Sequence, residues 1–91
     1  MKILCENSRV FINDESGKML AELIFKADDD GVYNISRTFV DPSLRGQGIA
    51  DKLMVAALEE ISSLDGKVRA SCSYAVKWFE KHDEYAEIYV K

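Results

Sequence analysis

The sequence predicts a mixed α/β (α+β) fold whose sheet is mostly antiparallel with one parallel strand pair. Three observations carry this. Segments with two-residue apolar alternation run up to Val40, separated by short turn sequences. A strongly amphipathic helix pattern follows at Gln47–Leu64. A further strand pattern at Lys67–Cys72 then completes a β-α-β unit, whose strands pair in parallel through a right-handed crossover.

Arg9–Asn13 (RVFIN) reads as the first strand, closed by the hairpin-type turn Asp14–Gly17. Lys18–Lys26 alternates, with Met19, Ala21, Leu23 and Phe25 on one face and Leu20, Glu22 and Ile24 on the other. Ala27–Gly31 (ADDDG) is an acidic turn. It lacks the internal glycine and distal glutamate of an EF-hand loop, so it reads as solvated rather than calcium-binding. Gly31–Val40 is the third strand, but neither of its faces is cleanly apolar. Arg37 falls between Ile35 and Phe39 in strict alternation, which calls for either a β-bulge near Arg37–Phe39 or a wet cavity at that end. Pro42, without an N–H, ends the strand.

In the main helix Ile49, Leu53, Ala57 and Ile61 recur every fourth residue, while Asp51, Lys52, Glu59, Glu60 and Ser63 take the opposite side. Gly66 is its expected stop. A second helix spans about Tyr74–Lys81, with Trp78 and Phe79 as core packing, and Ile88–Val90 offers a last strand. The expected order is β-β-β-α-β-α-β.

The 91 residues are expected to form one domain, 1–91. A chain of this size buries about 60–65% of its unfolded surface, enough for one small core. Apolar residues make up 47% and charged residues 31%, which excludes a disordered composition. The net charge of −4 argues against general nucleic-acid binding but leaves room for a local basic pocket. No signal-peptide pattern opens the chain, and the longest apolar run, Leu53–Leu58, is too short to span a bilayer; a cytoplasmic location is expected, with no membrane partner. Cys5 and Cys72 read as free thiols. With His82 as the one histidine, they offer no zinc set, and no metal is expected. His82 reads as a polar surface residue and Cys5 as part of a frayed end.

The stretch Val40–Leu53 (VDPSLRGQGIADKL) carries the chemistry. The first N–H groups of a helix have no internal partner, and the macrodipole adds positive potential there. Gly46 and Gly48 let an anion approach the backbone closely, and Arg45 supplies a permanent cation with paired donors. The segment is neither a Walker A loop, since no Gly-Lys-Ser/Thr follows, nor a dinucleotide fingerprint, since Asp51 stands where a third glycine would. On these residues alone, an anion site and a mere glycine-eased bend both remain open.

Arg45-Gly46-Gln47-Gly48-Ile49-Ala50 fits the R/Q-x-x-G-x-G/A pattern of the GCN5-related N-acetyltransferases (GNATs), which the chain resembles. Cys72-Ser73-Tyr74 and His82-Asp83-Glu84-Tyr85 further resemble segments of a small YjdJ-type GNAT-like group. The resemblance implies a three-layer-like fold with a splayed parallel pair, and a CoA-dependent N-acyltransferase moving acetyl from acetyl-CoA to an amine. It implies that Phe39 and Val40 offer backbone groups to the pantetheine arm and that Arg45, Gly46, Gln47, Gly48, Ile49 and Ala50 hold the pyrophosphate. Two departures stand out: Arg37 replaces a histidine usual in the small group, and Asp83 replaces a proline. Arginine cannot shuttle protons near neutral pH, so Arg37 would instead bind an anion. The helix pair that larger relatives insert between the first two strands is missing, leaving the acceptor side open to a small or protein-borne amine.

Cys72 closes the fourth expected strand at a helix start, where a thiol pKa falls. It is either a nucleophile, a contact for the cofactor arm, or plain core. Tyr74, and less so Tyr85, is a candidate acid for a departing thiolate. A monomer or weak dimer is expected. A non-catalytic acyl-CoA-binding module and an interaction domain without cofactor are the alternative functions.

Overall fold

The computed structural model describes residues 2–90. It contains a five-stranded sheet in the order β1 (Leu4–Glu6), β2 (Arg9–Asn13), β3 (Met19–Ala27), β4 (Tyr33–Val40) and β5 (Val68–Ala70). Neighbours up to β4 pair antiparallel, and β4 pairs with β5 in parallel. Helices α1 (Ile49–Ser63) and α2 (Ser73–Glu80) follow β4 and β5 respectively. The mixed α/β class and the single parallel pair are as the sequence predicts.

The ends differ from expectation. Cys5 lies in a paired strand, β1, rather than a frayed end. A two-residue turn joins β1 to β2, with Asn7 at φ 48° and Ser8 at φ 66°, the backbone of a hairpin turn with both central residues left-handed. At the other terminus Tyr89 makes a lone parallel bridge to Val68 instead of a full strand.

Two bulges set the faces of the sheet. Leu20 is the extra residue where Ile12 pairs with Ala21 and Asn13 with Met19. Ser36 is the extra residue where Ile24 pairs with Arg37 and Phe25 with Ile35. The second bulge answers the question of Arg37. Ile35 and Thr38 now share the helix-covered face with Phe25 and Leu23, while Arg37 and Phe39 turn to the opposite face with Ile24 and Glu22. There the Arg37 Nε donates to Glu22 Oε1 at 3.1 Å, and Arg9 donates to Glu22 Oε2 at 2.8 Å. Arg37 is therefore a sheet-face ion pair, neither the border of a wet cavity nor the holder of an anionic group.

Both helices cover one face. The core joins Val10, Ala21, Leu23, Phe25 and Ile35 to Leu53, Met54, Leu58 and Ile61 of α1 and to Ala75, Trp78 and Phe79 of α2. The arrangement is two-layered, not three-layer-like, because no helices separate β2 from β3 to cover the far face. Each fully buried Leu or Ile of α1 contributes about 1.5–3 kcal/mol through lost apolar exposure.

The end of α1 is built differently from the glycine stop expected. Asp65, at φ 56°, takes the left-handed position after the helix cap. Gly66 N–H donates to Ile61 O at 2.9 Å and Asp65 N–H to Ser62 O at 3.0 Å, the paired bonds of a Schellman motif. Gly66 has no positive φ; it is needed for space, since a Cβ there would stand 2.8 Å from the Tyr33 ring. Asp65→Gly should therefore stabilise the protein by about 1 kcal/mol, raising Tm by about 4–8 °C, by relieving left-handed strain. Gly66→Ala should lower Tm. Thermal melts by circular dichroism check both signs, and equal effects at the two positions would contradict this division of labour.

Candidate functional site

The site begins where β4 and β5 part. Their pairing stops at Ile35 and Ala70, yet β4 continues to Val40. Ser71 and Cys72 both donate their N–H to Ile35 O, at 3.1 and 3.2 Å, and the chain then turns into α2. Beyond Ile35 the edge of β4 that faces away from β3 has no strand beside it. Asp41 N–H donates to Leu20 O at 2.7 Å, in register with the β3–β4 ladder. Alternation along that ladder turns the backbone groups of Phe39 toward β3 and those of Thr38 and Val40 toward the gap. Of the expected pair, Val40 thus presents free backbone groups, while Phe39 packs its ring under Arg37, 5.5 Å away.

Across the gap Thr38 Oγ1 and Cys72 Sγ lie 2.8 Å apart. Partial burial, the largest single influence on this thiol, opposes the thiolate. The Thr38 hydroxyl and the N–H groups of Ala75, Tyr74 and Thr38 together outweigh it and hold Cys72 below the ordinary cysteine pKa. Cys72 occupies the N-cap position of α2 without closing a full cap hydrogen bond, so these N–H groups act through their field. Cys5 is shifted the other way, upward, by burial and by the Glu60 carboxylate. Thr38 was not singled out in the sequence; only the bulge at Ser36 places it on the same face as the cysteine.

The loop after β4 is anchored at both ends. The Asp41 carboxylate accepts from the Ser43 N–H and hydroxyl at 3.0 and 2.6 Å, holding a short 3₁₀ turn, Pro42–Leu44, whose Leu44 is buried. Gly46 and Gly48 then adopt φ 82° and 71°, with Gly48 as the N-cap of α1. A Cβ on either would meet no atom within 4 Å, so the glycines are required by their backbone angle and face open space. Among the described residues, the N–H groups of Gly46, Gln47 and Gly48 donate to no protein atom, and Arg45 makes no ion pair. The first turn of α1, Ile49–Asp51, adds N–H groups that no helix can satisfy internally.

These groups surround a cleft of about 190 Å³ walled by Val40, Arg45, Ala50, Asp51 and Tyr74. Larger hollows lie elsewhere on the surface, but this one combines an unpaired cation with unpartnered backbone donors, which is the chemistry that binds a phosphate. Tyr74 is 39% exposed, and its phenol is held above the ordinary pKa by burial, the Asp51 carboxylate and Cys72. Tyr74 thus shares the loop cleft, while Cys72 shares the strand gap with Thr38.

Asp51 joins this cleft to the second helix. Trp78 Nε1 donates to Asp51 Oδ1 at 2.8 Å. His82 stacks on Trp78, with ring centres 3.7 Å apart and planes 6° apart, and donates from Nδ1 to Trp78 O at 2.7 Å. His82 Nε2 then faces Asp51 Oδ1 at 3.8 Å. The histidine expected on the surface is instead a half-buried part of an aromatic cluster. Among the described residues no group of three or more His, Cys, Asp or Glu could hold a metal ion, and no helix is long and apolar enough to cross a membrane.

A family model described as GCN5-related N-acetyl-transferase matches residues 9–88. The solution structure of a GCN5-like protein from Staphylococcus aureus is 34% identical, with a TM-score of 0.80 over 98% of this chain and 87% of that one. An acyl-CoA N-acyltransferase structure from Klebsiella pneumoniae, 19% identical, has a TM-score of 0.64 over 81% of this chain and 55% of that chain. Glucosamine-6-phosphate N-acetyltransferase from Arabidopsis thaliana, 21% identical, has a TM-score of 0.55 over 80% of this chain and 55% of that chain. The last two show a shared fold, and this chain matches about half of their length. No curated protein sequence matches.

The opposed shifts of the two thiols are directly testable. Cys72 should react with iodoacetamide at lower pH than Cys5, because the thiolate is the reacting form and Cys72 ionises first. Thr38→Val should move the Cys72 rate profile to higher pH and leave Cys5 unmoved. Peptide-resolved mass spectrometry reads both, and coincident profiles would refute the assignment.

Proposed function

Since the chain belongs to the GCN5-related N-acetyltransferase family and is an acetyltransferase by that membership, we propose that it acts as one domain to move acetyl from acetyl-CoA to an amine, with the pyrophosphate held by Arg45–Ala50. The observation that carries this reading is the set of unpartnered N–H groups at Gly46, Gln47 and Gly48 beside the unpaired Arg45. The backbone edge of Thr38 and Val40 offers hydrogen bonds to the amides of the pantetheine arm, which leads the thioester along the gap toward Cys72. Phe39, paired with Glu22 of β3, supports that edge rather than contacting the arm.

Cys72 is the nucleophile in this reading. Its thiolate attacks the acetyl carbonyl, the carbon–sulfur bond to CoA breaks, and acetyl-Cys72 forms with release of the CoA thiolate. Thioester exchanged for thioester makes this step close to thermoneutral. Tyr74, whose raised pKa keeps it protonated, serves as the acid for the departing thiolate. The neutral amine then attacks acetyl-Cys72, forms the amide, returns the Cys72 thiolate and gives its surplus proton, through solvent, back to the Tyr74 phenolate. Thr38 stabilises the thiolate at both ends of the cycle. Arg37 has no part in proton transfer, since its guanidinium is committed to Glu22 on the far face.

CoA at 100 times its dissociation constant should add about 2.7 kcal/mol of stability in a thermal melt. Arg45→Ala should weaken CoA about tenfold or more, as loss of a charged hydrogen bond costs about 1.5–3 kcal/mol. Absence of any shift with CoA or acetyl-CoA would overturn the cradle. Gly48→Ala should also weaken CoA while costing about 1–2 kcal/mol of stability through its positive φ. Incubation with acetyl-CoA should leave an acetyl adduct visible by intact mass and absent in Cys72→Ser. Undiminished amine acetylation in Cys72→Ser would instead assign direct attack on acetyl-CoA.

A further inference from the structure

A second cleft, of about 570 Å³, lies between the outer flank of α2 and the segment 82–89. Its walls are aromatic. Phe79 and Tyr89 stack with ring centres 4.0 Å apart and planes 10° apart, and Tyr85 leans on Trp78 at 5.5 Å. These contacts hold the rings against one another. The exposed Glu80 and Asp83 contribute carboxylates that pair with no cation among the described residues. Among the described residues no lysine or arginine lines the cleft, although Lys77 and Lys81 sit on and beside the same helix.

Cys72 does not line the cleft but precedes, on the same flank of α2, three residues that do. Cys72, Val76, Phe79 and Glu80 fall at i, i+4, i+7 and i+8, one stripe along α2, and Val76 N–H donates to Cys72 O at 3.0 Å. Glu80 sits at the far end of that stripe, about 12 Å along the helix from Cys72 at 1.5 Å per residue, and Asp83 follows in the 3₁₀ turn Asp83–Tyr85 beyond it.

We propose that this cleft binds the acceptor, and that the acceptor is a di- or polyamine. Unpaired carboxylates beside aromatic rings suit an ammonium, through charge and cation–π attraction, and the apolar walls suit the methylene chain attached to it. An anion would be repelled, and a neutral apolar ligand would strip water from two carboxylates without compensation. The separation from Cys72 sets the second nitrogen. The anchored ammonium is too far to react, so the attacking amine, neutral after losing its proton to solvent, is a different nitrogen of the same chain. The acceptor role rests on the acetyl-CoA reading above; the binding of a polyamine does not.

The test titrates the full chain at low ionic strength with spermidine, and with n-butylamine as a one-nitrogen control, following amide NMR shifts. Spermidine should give saturable shifts confined to Val76–Asp83 and Tyr85–Tyr89, and butylamine should bind at least about tenfold more weakly. Glu80→Gln with Asp83→Asn, both exposed substitutions, should cost about tenfold in spermidine affinity and leave CoA affinity unchanged. Equal binding of butylamine, unsaturable shifts shared with the acidic turn Asp28–Asp30, or unaltered affinity in the double variant would each overturn the site. In the acetylation assay the same variant should raise the KM for spermidine and spare kcat; an unchanged KM would overturn the acceptor role. Failure of CoA to bind sinks the acetyl-CoA reading and is read in a separate titration.

Discussion

One carbonyl oxygen organises the molecule. Ile35 O accepts both the Ser71 and Cys72 N–H groups and so closes the parallel pairing of β4 with β5. From that point the strands diverge, because β5 must turn into α2 while β4 is still held by β3. Were the pairing to continue, the backbone edge of Thr38 and Val40 would be consumed by the sheet and no gap would exist. The same two bonds set Cys72 at the first position of α2, where helix N–H groups draw its thiol toward ionisation. A sheet defect thereby supplies the opening, the free hydrogen-bonding edge and the reactive sulfur together.

The bulge at Ser36 is the second requirement. Without it Thr38 would face away from the helices and Arg37 toward them, burying a guanidinium beside Phe25 at a large desolvation cost. With it, Thr38 reaches Cys72, and Arg37 and Arg9 share Glu22, whose side chain is 13% exposed. This ladder gives the uncovered sheet face a polar surface. Arg9 over Phe11 at 3.7 Å and Arg37 over Phe39 shield the two aromatic rings there from water.

Asp51 carries a tension. A carboxylate in the first turn of α1 favours the helix dipole, yet it lies on the wall of the cleft that also holds Arg45. Its bond to Trp78 turns that charge toward α2 and ties the two helices at the mouth of the cleft. The cluster Trp78–His82–Tyr85 continues the tie into the C-terminal segment. The glycine-loop end and the aromatic cleft are therefore parts of one packed unit.

The sequence alone determined the class of fold, the main helix and the glycine positions of the loop that precedes it. Those are local properties: the four-residue recurrence of Ile49, Leu53, Ala57 and Ile61, and glycines where the backbone must take positive φ. It left the face assignment of Arg37, Thr38 and Phe39 ambiguous, since a single inserted residue inverts a two-residue alternation and composition does not mark which residue is inserted. It also misjudged His82 and the chain ends, whose partners lie far along the chain or are single backbone bridges. The partnership of Thr38 with Cys72, 34 residues apart, and that of Asp51 with Trp78, 27 apart, were decided by tertiary structure. Such contacts arise only when the sheet splays and both helices settle on one face, and no local pattern encodes that closure.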